Sequence, residues 1–230
     1  MNNKEQRFEG FYPETLKFLS DLRENNNKEW FEKHKQGYQK YLQEPLQNLA
    51  MNLSEYMLAI DPLLVIGPKA VSRIYRDARF SDNKSHYKTT MWLTLRRPRQ
   101  DWMDAPAYFF EIAPSSYRYG MGFYKASPDT MHKFREVIDE APEEFRKLTS
   151  FYAKQRVFGI EGEKYKKIFD ETKPKEIQDW YQRRNLYLVC NRQIDGQLFS
   201  GELVENLLSG FDTVAPFYHY LLKLKGHKLV

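Results

Sequence analysis

A chain of 230 residues, 41% hydrophobic and 16% aromatic, carries enough apolar material for one large domain or two small ones. A single cysteine, Cys190, excludes an internal disulfide and a cysteine metal cluster, and no apolar run of about 18 residues is present to span a membrane. The start, MNNKEQRFEGFYPE, shows no apolar signal region, so the expectation is a soluble cytoplasmic protein, and the net charge of +5 admits nucleic acid as a partner without requiring it.

In chain order, Phe8 to Tyr12 is an apolar lead-in and Pro13 suits the first turn of a helix. Leu16, Leu19 and Leu22 share one face of a helix over 14–24, which Asn25, Asn26 and Asn27 stop. Asn27 caps a second helix over 28–42, and Pro45 is expected to break or kink it. Leu46, Leu49, Leu53 and Met57 continue the helical period until Asp61-Pro62 ends this N-terminal region, 8–60.

Near Lys69 the period changes from helical to alternating. Strands are predicted over 70–76, 90–96, 107–113 and 117–124, the last two forming a hairpin about Pro114-Ser115-Ser116. Met91, Leu93 and Leu95 oppose Thr90, Trp92 and Thr94 on the second strand. Strands that succeed one another without crossover helices pair antiparallel. Pro128 opens a helix through about residue 139, Ala141-Pro142 starts another through Tyr152, and Pro174 begins a short one. Residues 157–169 carry no clear period, 186–190 form a fifth strand, and Leu203 to Leu224 is helical with a break marked by Gly210 and Pro216. The expected architecture is one α+β domain, a central mainly antiparallel sheet (69–124) between an N-terminal helical region and a mostly helical region over 128–230.

Three long motifs, FYPETLKFLSDLRENNNKEWFEKHKQGY, SRIYRDARFSDNKSHYKT and FFEIAPSSYRYGMGFYKASPDTM, resemble domain-of-unknown-function family 2461 over nearly the whole chain from about Phe8. The resemblance implies a soluble α+β protein and carries no established activity with it. Relatives usually have proline just before the tyrosine of the YKT motif, where this chain has His86, which argues against a general catalytic role for that position.

The charge is concentrated. Between Arg73 and Arg99 stand eight basic residues against only Asp77 and Asp82, an excess of +6 in a chain whose total is +5. A local field of one sign attracts phosphate, carboxylate or a nucleic-acid backbone. The candidate ligand-binding residues are therefore Arg73, Arg76, Arg79, Lys84, Tyr87 and Lys88, since guanidinium forks suit phosphate and aromatics between them shield charge from water. Strand alternation puts Arg73 and Arg76 on opposite faces, so not all of them share one pocket. The plain alternative is that the arginines form structural ion pairs and the tyrosines pack.

Glu111, inside YFFEIA, needs a partner; the 73–79 arginines are the expected source, with Arg118 the sole sequence-local option. It and Asp77 are the weak candidates for proton transfer. Asp77 and Asp82 around Phe80 match no specific metal motif, so no metal is assigned and no cofactor is identified. Gly120 and Gly122 mark close approach of either a backbone or a ligand, and Trp30 is one aromatic that could fill the space. Cys190 reads as a core residue, the five histidines form no paired spacing, and no GxSxG or P-loop pattern occurs. Three readings stay open: a module binding a phosphorylated small molecule or nucleic acid, an enzyme acting on an anionic small molecule, and a scaffold without pocket chemistry.

Overall fold

The computed structural model describes residues 7–76, 85–98 and 102–226. Helices α1 (Pro13–Glu24), α2 (Lys28–Tyr38), α3 (Glu44–Asn52) and α4 (Ser54–Ile60) precede β1 (Met91–Leu95). The hairpin β2 (Pro106–Ile112) and β3 (Ser116–Phe123) follows. Then come α5 (Pro128–Glu140), α6 (Pro142–Lys154), β4 (Gly159–Glu161), α7 (Lys175–Tyr181), β5 (Tyr187–Gln193) and α8 (Glu202–Leu224). The strands form one antiparallel sheet in the order β1-β2-β3-β5-β4, an α+β fold as read from the sequence.

Alternation splits each strand between two faces. Met91, Leu93 and Leu95, with Tyr108, Phe110 and Ile112 and with Tyr117, Tyr119 and Met121, bury the helix-facing side. Long α8 lies across it. Phe211 meets the rings of Tyr108 and Tyr119 edge-on at 5.1 and 6.1 Å, and Gly210 sits where any Cβ would come within 2.7 Å of the Tyr119 ring.

Two prolines depart from expectation. Pro45 does not break its helix: a π-helical turn, Gln39–Gln43, joins α2 to α3 without interruption. Proline has no N–H to give the carbonyl four residues back. That carbonyl, Tyr41 O, accepts instead from the hydroxyl of buried Thr15 on α1. Pro216 likewise lies inside α8, which runs unbroken through it and Gly210.

The segment predicted as a strand over 70–76 is a correction. A 3-10 turn, Gly67–Ala70, replaces its start, and the rest touches the sheet only through isolated antiparallel bridges, Val71 to Leu93 and Tyr75 to Tyr87. Ser72 N donates to Trp92 O, whereas Arg76 N donates to His86 O and Lys88 N to Ile74 O. Two residues, Ser72 and Ile74, thus face partners four apart, Trp92 and Lys88, and the excess chain between them prevents a continuous ladder. Asn26 anchors this edge: its side chain donates to Tyr87 O and accepts from Tyr87 N at 3.0 and 2.9 Å, pairing with that backbone as a strand residue would.

The loop after α4 carries a buried carboxylate. Asp61 is 1% exposed and accepts from Arg97 Nε at 2.7 Å, Arg97 Nη2 at 3.0 Å and the Tyr218 hydroxyl at 2.6 Å. Burial pushes its carboxyl up, but the hydrogen bonds from Arg97 and Tyr218 outweigh burial and hold it below the ordinary carboxylate value.

Candidate functional site

On the sheet face opposite α8, alternate residues line a cleft of about 910 Å³. Trp92 and Thr94 come from β1, Ala107, Phe109 and Glu111 from β2, Arg118 and Gly122 from β3, and Tyr187 from β5. Trp102, Tyr124, Glu161 to Glu163, Arg183 and Asn185 form its walls. The register sets Trp92 opposite Glu111, and Glu111 opposite Arg118, so one row of side chains runs across three strands.

At the centre Arg118 donates to Glu111 through Nε at 2.7 Å and Nη2 at 3.1 Å. This corrects the expectation that Glu111 pairs with an arginine of 73–79. The hairpin turn already contained the answer: Ala113 N donates to Ser116 O, and counting back from that closure places Glu111 directly across from Arg118.

The cleft has unlike rims. Just before β1, Lys88 Nζ stands 4.4 Å from the centroid of the Trp92 ring and donates to Arg73 O at 2.7 Å. Burial, followed by the charges of Arg73 and Arg76, pushes the Lys88 ammonium below its usual pKa. The Arg96 guanidinium lies 4.6 Å from the Trp102 ring centroid. Across the cleft Glu161 and Glu163 stand on either side of Gly162, Glu161 accepting from Asn191 at 2.7 Å and Glu163 pairing with Arg184 at 3.5 Å. Gly162 has φ of +117°, and a Cβ there would fall 1.9 Å from Asn185 O. Buried Arg183 fixes this rim by donating to Gly162 O at 2.8 Å and Ile160 O at 2.9 Å while pairing with Asp179.

The two glycines of YRYGMGFY answer the question left open above: the approach is by backbone. A Cβ on Gly120 would lie 2.0 Å from Leu188 O, and one on Gly122 would lie 2.4 Å from Tyr187 Cα. Trp30 packs elsewhere, against Phe18 and His34.

The candidate binding residues divide. Lys88 stands against Trp92, a wall of the cleft, whereas exposed Arg73 and Tyr75 line a second concavity of about 350 Å³ against Lys35, Tyr38, Gln39, Gln43 and Gln47. Burial, then Tyr75, pushes the Tyr38 hydroxyl up to about 12. Arg76 is half-buried, and its Nε has no hydrogen-bond partner among the described residues. Tyr87 is core rather than site: it is 3% exposed and stacks on Phe31 at 4.2 Å, because its bridge to Tyr75 turns the ring toward α2. Arg79, Lys84 and Asp77, with Asp82, lie outside the described residues. Arg97, counted in the basic excess, is committed to Asp61. Among the described residues no His, Cys, Asp or Glu group is arranged to hold a metal ion, and no helix is long and apolar enough to cross a membrane. Cys190 is buried beside Tyr119, as a core residue should be.

Sequence reasoning missed Trp102, Tyr124 and Tyr187. For Trp92 the signal was present in its phase opposite Met91, Leu93 and Leu95, but periodicity does not say which of two sheet faces the helices leave open.

The sequence matches, over residues 14–220, the family model described as a conserved hypothetical protein, DUF2461. No curated protein matches the chain.

Proposed function

The chain belongs to the DUF2461 family of conserved hypothetical proteins, and for this member we propose that the sheet-face cleft binds a phosphate-bearing ligand with a planar ring, a nucleotide. One observation carries the reading: aromatic rings from three strands line a single open cleft, and two of its aromatic walls, Trp92 and Trp102, each hold a cation, respectively Lys88 and Arg96, which flank β1 in sequence. Trp92, Phe109 and Tyr187 supply stacking surface, and every base has a π-face to use it. Lys88 and Arg96 supply charge where a phosphate would extend past the ring. Glu161 and Glu163 disfavour the opposite orientation and offer acceptors to ribose hydroxyls or exocyclic amines.

Calorimetric titration of AMP, GMP and UMP at low salt tests this. Saturable single-site binding is expected, weakened about tenfold or more in Trp92→Ala and Lys88→Ala, since one base–aromatic stack contributes about 1–3 kcal/mol. If wild type binds none of the three, or both variants bind as wild type does, the reading fails.

An enzyme acting on the same ligand is the second reading, supported by Glu111 lining the cleft. Both of its oxygens are engaged by Arg118, so proton transfer would require that pair to open. A Glu111→Gln variant that binds nucleotide but stops a measurable release of inorganic phosphate would select this reading; absence of release from wild type would discard it.

A further inference from the structure

We infer that the ligand is a polymer, a single-stranded nucleic acid whose chain passes from the cleft over the edge segment 71–76 into the groove beyond it. The inference rests on the cleft reading just given.

The two concavities share a wall. Ser72 lines the groove, donates its N–H to Trp92 O at 2.8 Å and accepts from Trp92 N through Oγ at 3.2 Å, while Trp92 lines the cleft. Arg73 lines the groove, and its carbonyl holds Lys88, which stands over the Trp92 ring of the cleft. The positive edge is therefore a ridge between two hollows, and a mononucleotide would occupy only one of them.

The far wall of the groove is a row of amides. Gln39, Gln43 and Gln47 recur every four residues on the helical run that Pro45 fails to break, so successive side chains are about 6 Å apart. None of the three amides has a hydrogen-bond partner among the described residues. Each offers two donors and an acceptor, the groups that proteins direct at phosphate, sugar and base edges. Lys35 adds a cation to that wall; its contact with Glu32 at 3.9 Å is long and half-exposed, a pair that contributes little and yields easily to a phosphate. A positive groove that tracks a backbone, joined to a face on which bases stack, is the combination single strands require. An acidic peptide would use the cations but not the aromatic face, so the rings favour nucleic acid.

The test uses the full chain with dTMP and fluorescein-labelled oligothymidylates of four, eight and twelve nucleotides. The eight-nucleotide strand is expected to bind at least about tenfold tighter than dTMP, with a steeper fall in affinity on adding salt as more counterions are released. Arg73→Ala and the double variant Gln43→Ala/Gln47→Ala, each with an unchanged melting temperature, are expected to lose about fivefold or more of the oligonucleotide affinity. Both should keep dTMP binding within about twofold of wild type. If dTMP binds and the longer strands bind no tighter, the polymer inference falls and the cleft reading stands. If neither dTMP nor any strand binds, the cleft reading falls and takes the inference with it. Equal competition by an octaglutamate peptide would also overturn the inference, reducing the groove to a site for any polyanion.

Discussion

Two arginine–carboxylate pairs of similar geometry sit on opposite sides of the sheet. In each, one guanidinium meets both oxygens of one carboxylate, at 2.7 and 3.0 Å in Asp61–Arg97 and at 2.7 and 3.1 Å in Glu111–Arg118. Their surroundings differ. The Arg97 and Asp61 side chains are 8% and 0% exposed, with Tyr218 closing the remaining side; those of Arg118 and Glu111 are 37% and 23% exposed and face the open cleft. A buried charge that loses its partner has no water to turn to, whereas a charge beside a wet cleft has. The difference separates an ion pair that stabilises the fold from one available to a ligand, though the two look alike in a contact list.

The sharpest way to break the comparison is to remove Arg97. Arg97→Ala should cost about 3–5 kcal/mol, lowering the melting temperature by roughly 6–20 °C in a chain of this size. A shift of under about 2 °C would mean that Asp61 finds water and that burial is not what distinguishes the pairs. Because the folded Asp61 carboxyl lies below its unfolded value, its contribution is complete above the unfolded pKa and is lost as pH falls through the folded one. Acid unfolding followed by circular dichroism should therefore show wild type holding that contribution to about pH 4, the ordinary aspartate region, and losing it below. An Asp61→Asn variant should have a flatter acid limb. Next in size is Tyr218→Phe, which deletes only the hydroxyl's hydrogen bond to Asp61 and should cost about 1.5–3 kcal/mol in chemical denaturation. The smallest stability effect belongs to the cleft: Glu111→Gln should change stability by about 1 kcal/mol or less. The same substitution removes a negative charge beside the proposed phosphate site and should tighten nucleotide binding. A large loss of stability with unchanged binding would reverse the roles given to the two pairs.

How much of this was legible depended on sequence distance. The β2–β3 hairpin was readable because its alternation and its Pro114-Ser115-Ser116 turn are local, and the opposition of Glu111 and Arg118 follows from that turn. That the helical run continues past Pro45 was not legible, because it depends on Thr15 of another helix, which satisfies the carbonyl that proline leaves free. The basic excess was countable, but counting cannot tell Arg97, which is locked to a residue 36 positions earlier, from Lys88 beside an open cleft. Tyr87 was read as a site residue because it lies among cations in sequence; its bridge to Tyr75 sends it into the core. Which face of the sheet stays open was settled by α8, and no local pattern near Trp92 refers to that helix.

The end of α8 reaches the cleft by another route. Lys225 Nζ donates to Asp104 Oδ2 at 2.6 Å and to the Thr130 hydroxyl at 2.8 Å, and Asp104 belongs to the short turn that carries Trp102 to the cleft wall. Asp104 and Lys225 are 121 residues apart, and Asp61 waits 157 residues for Tyr218. During synthesis the hairpin can therefore close early, while the Trp102 wall and the buried acid stay unsecured until α8 is made. Contacts at such separations make folding slow relative to local ones. A chain lacking α8 would present the Glu111–Arg118 hairpin beside a Trp102 wall that nothing from Lys225 holds.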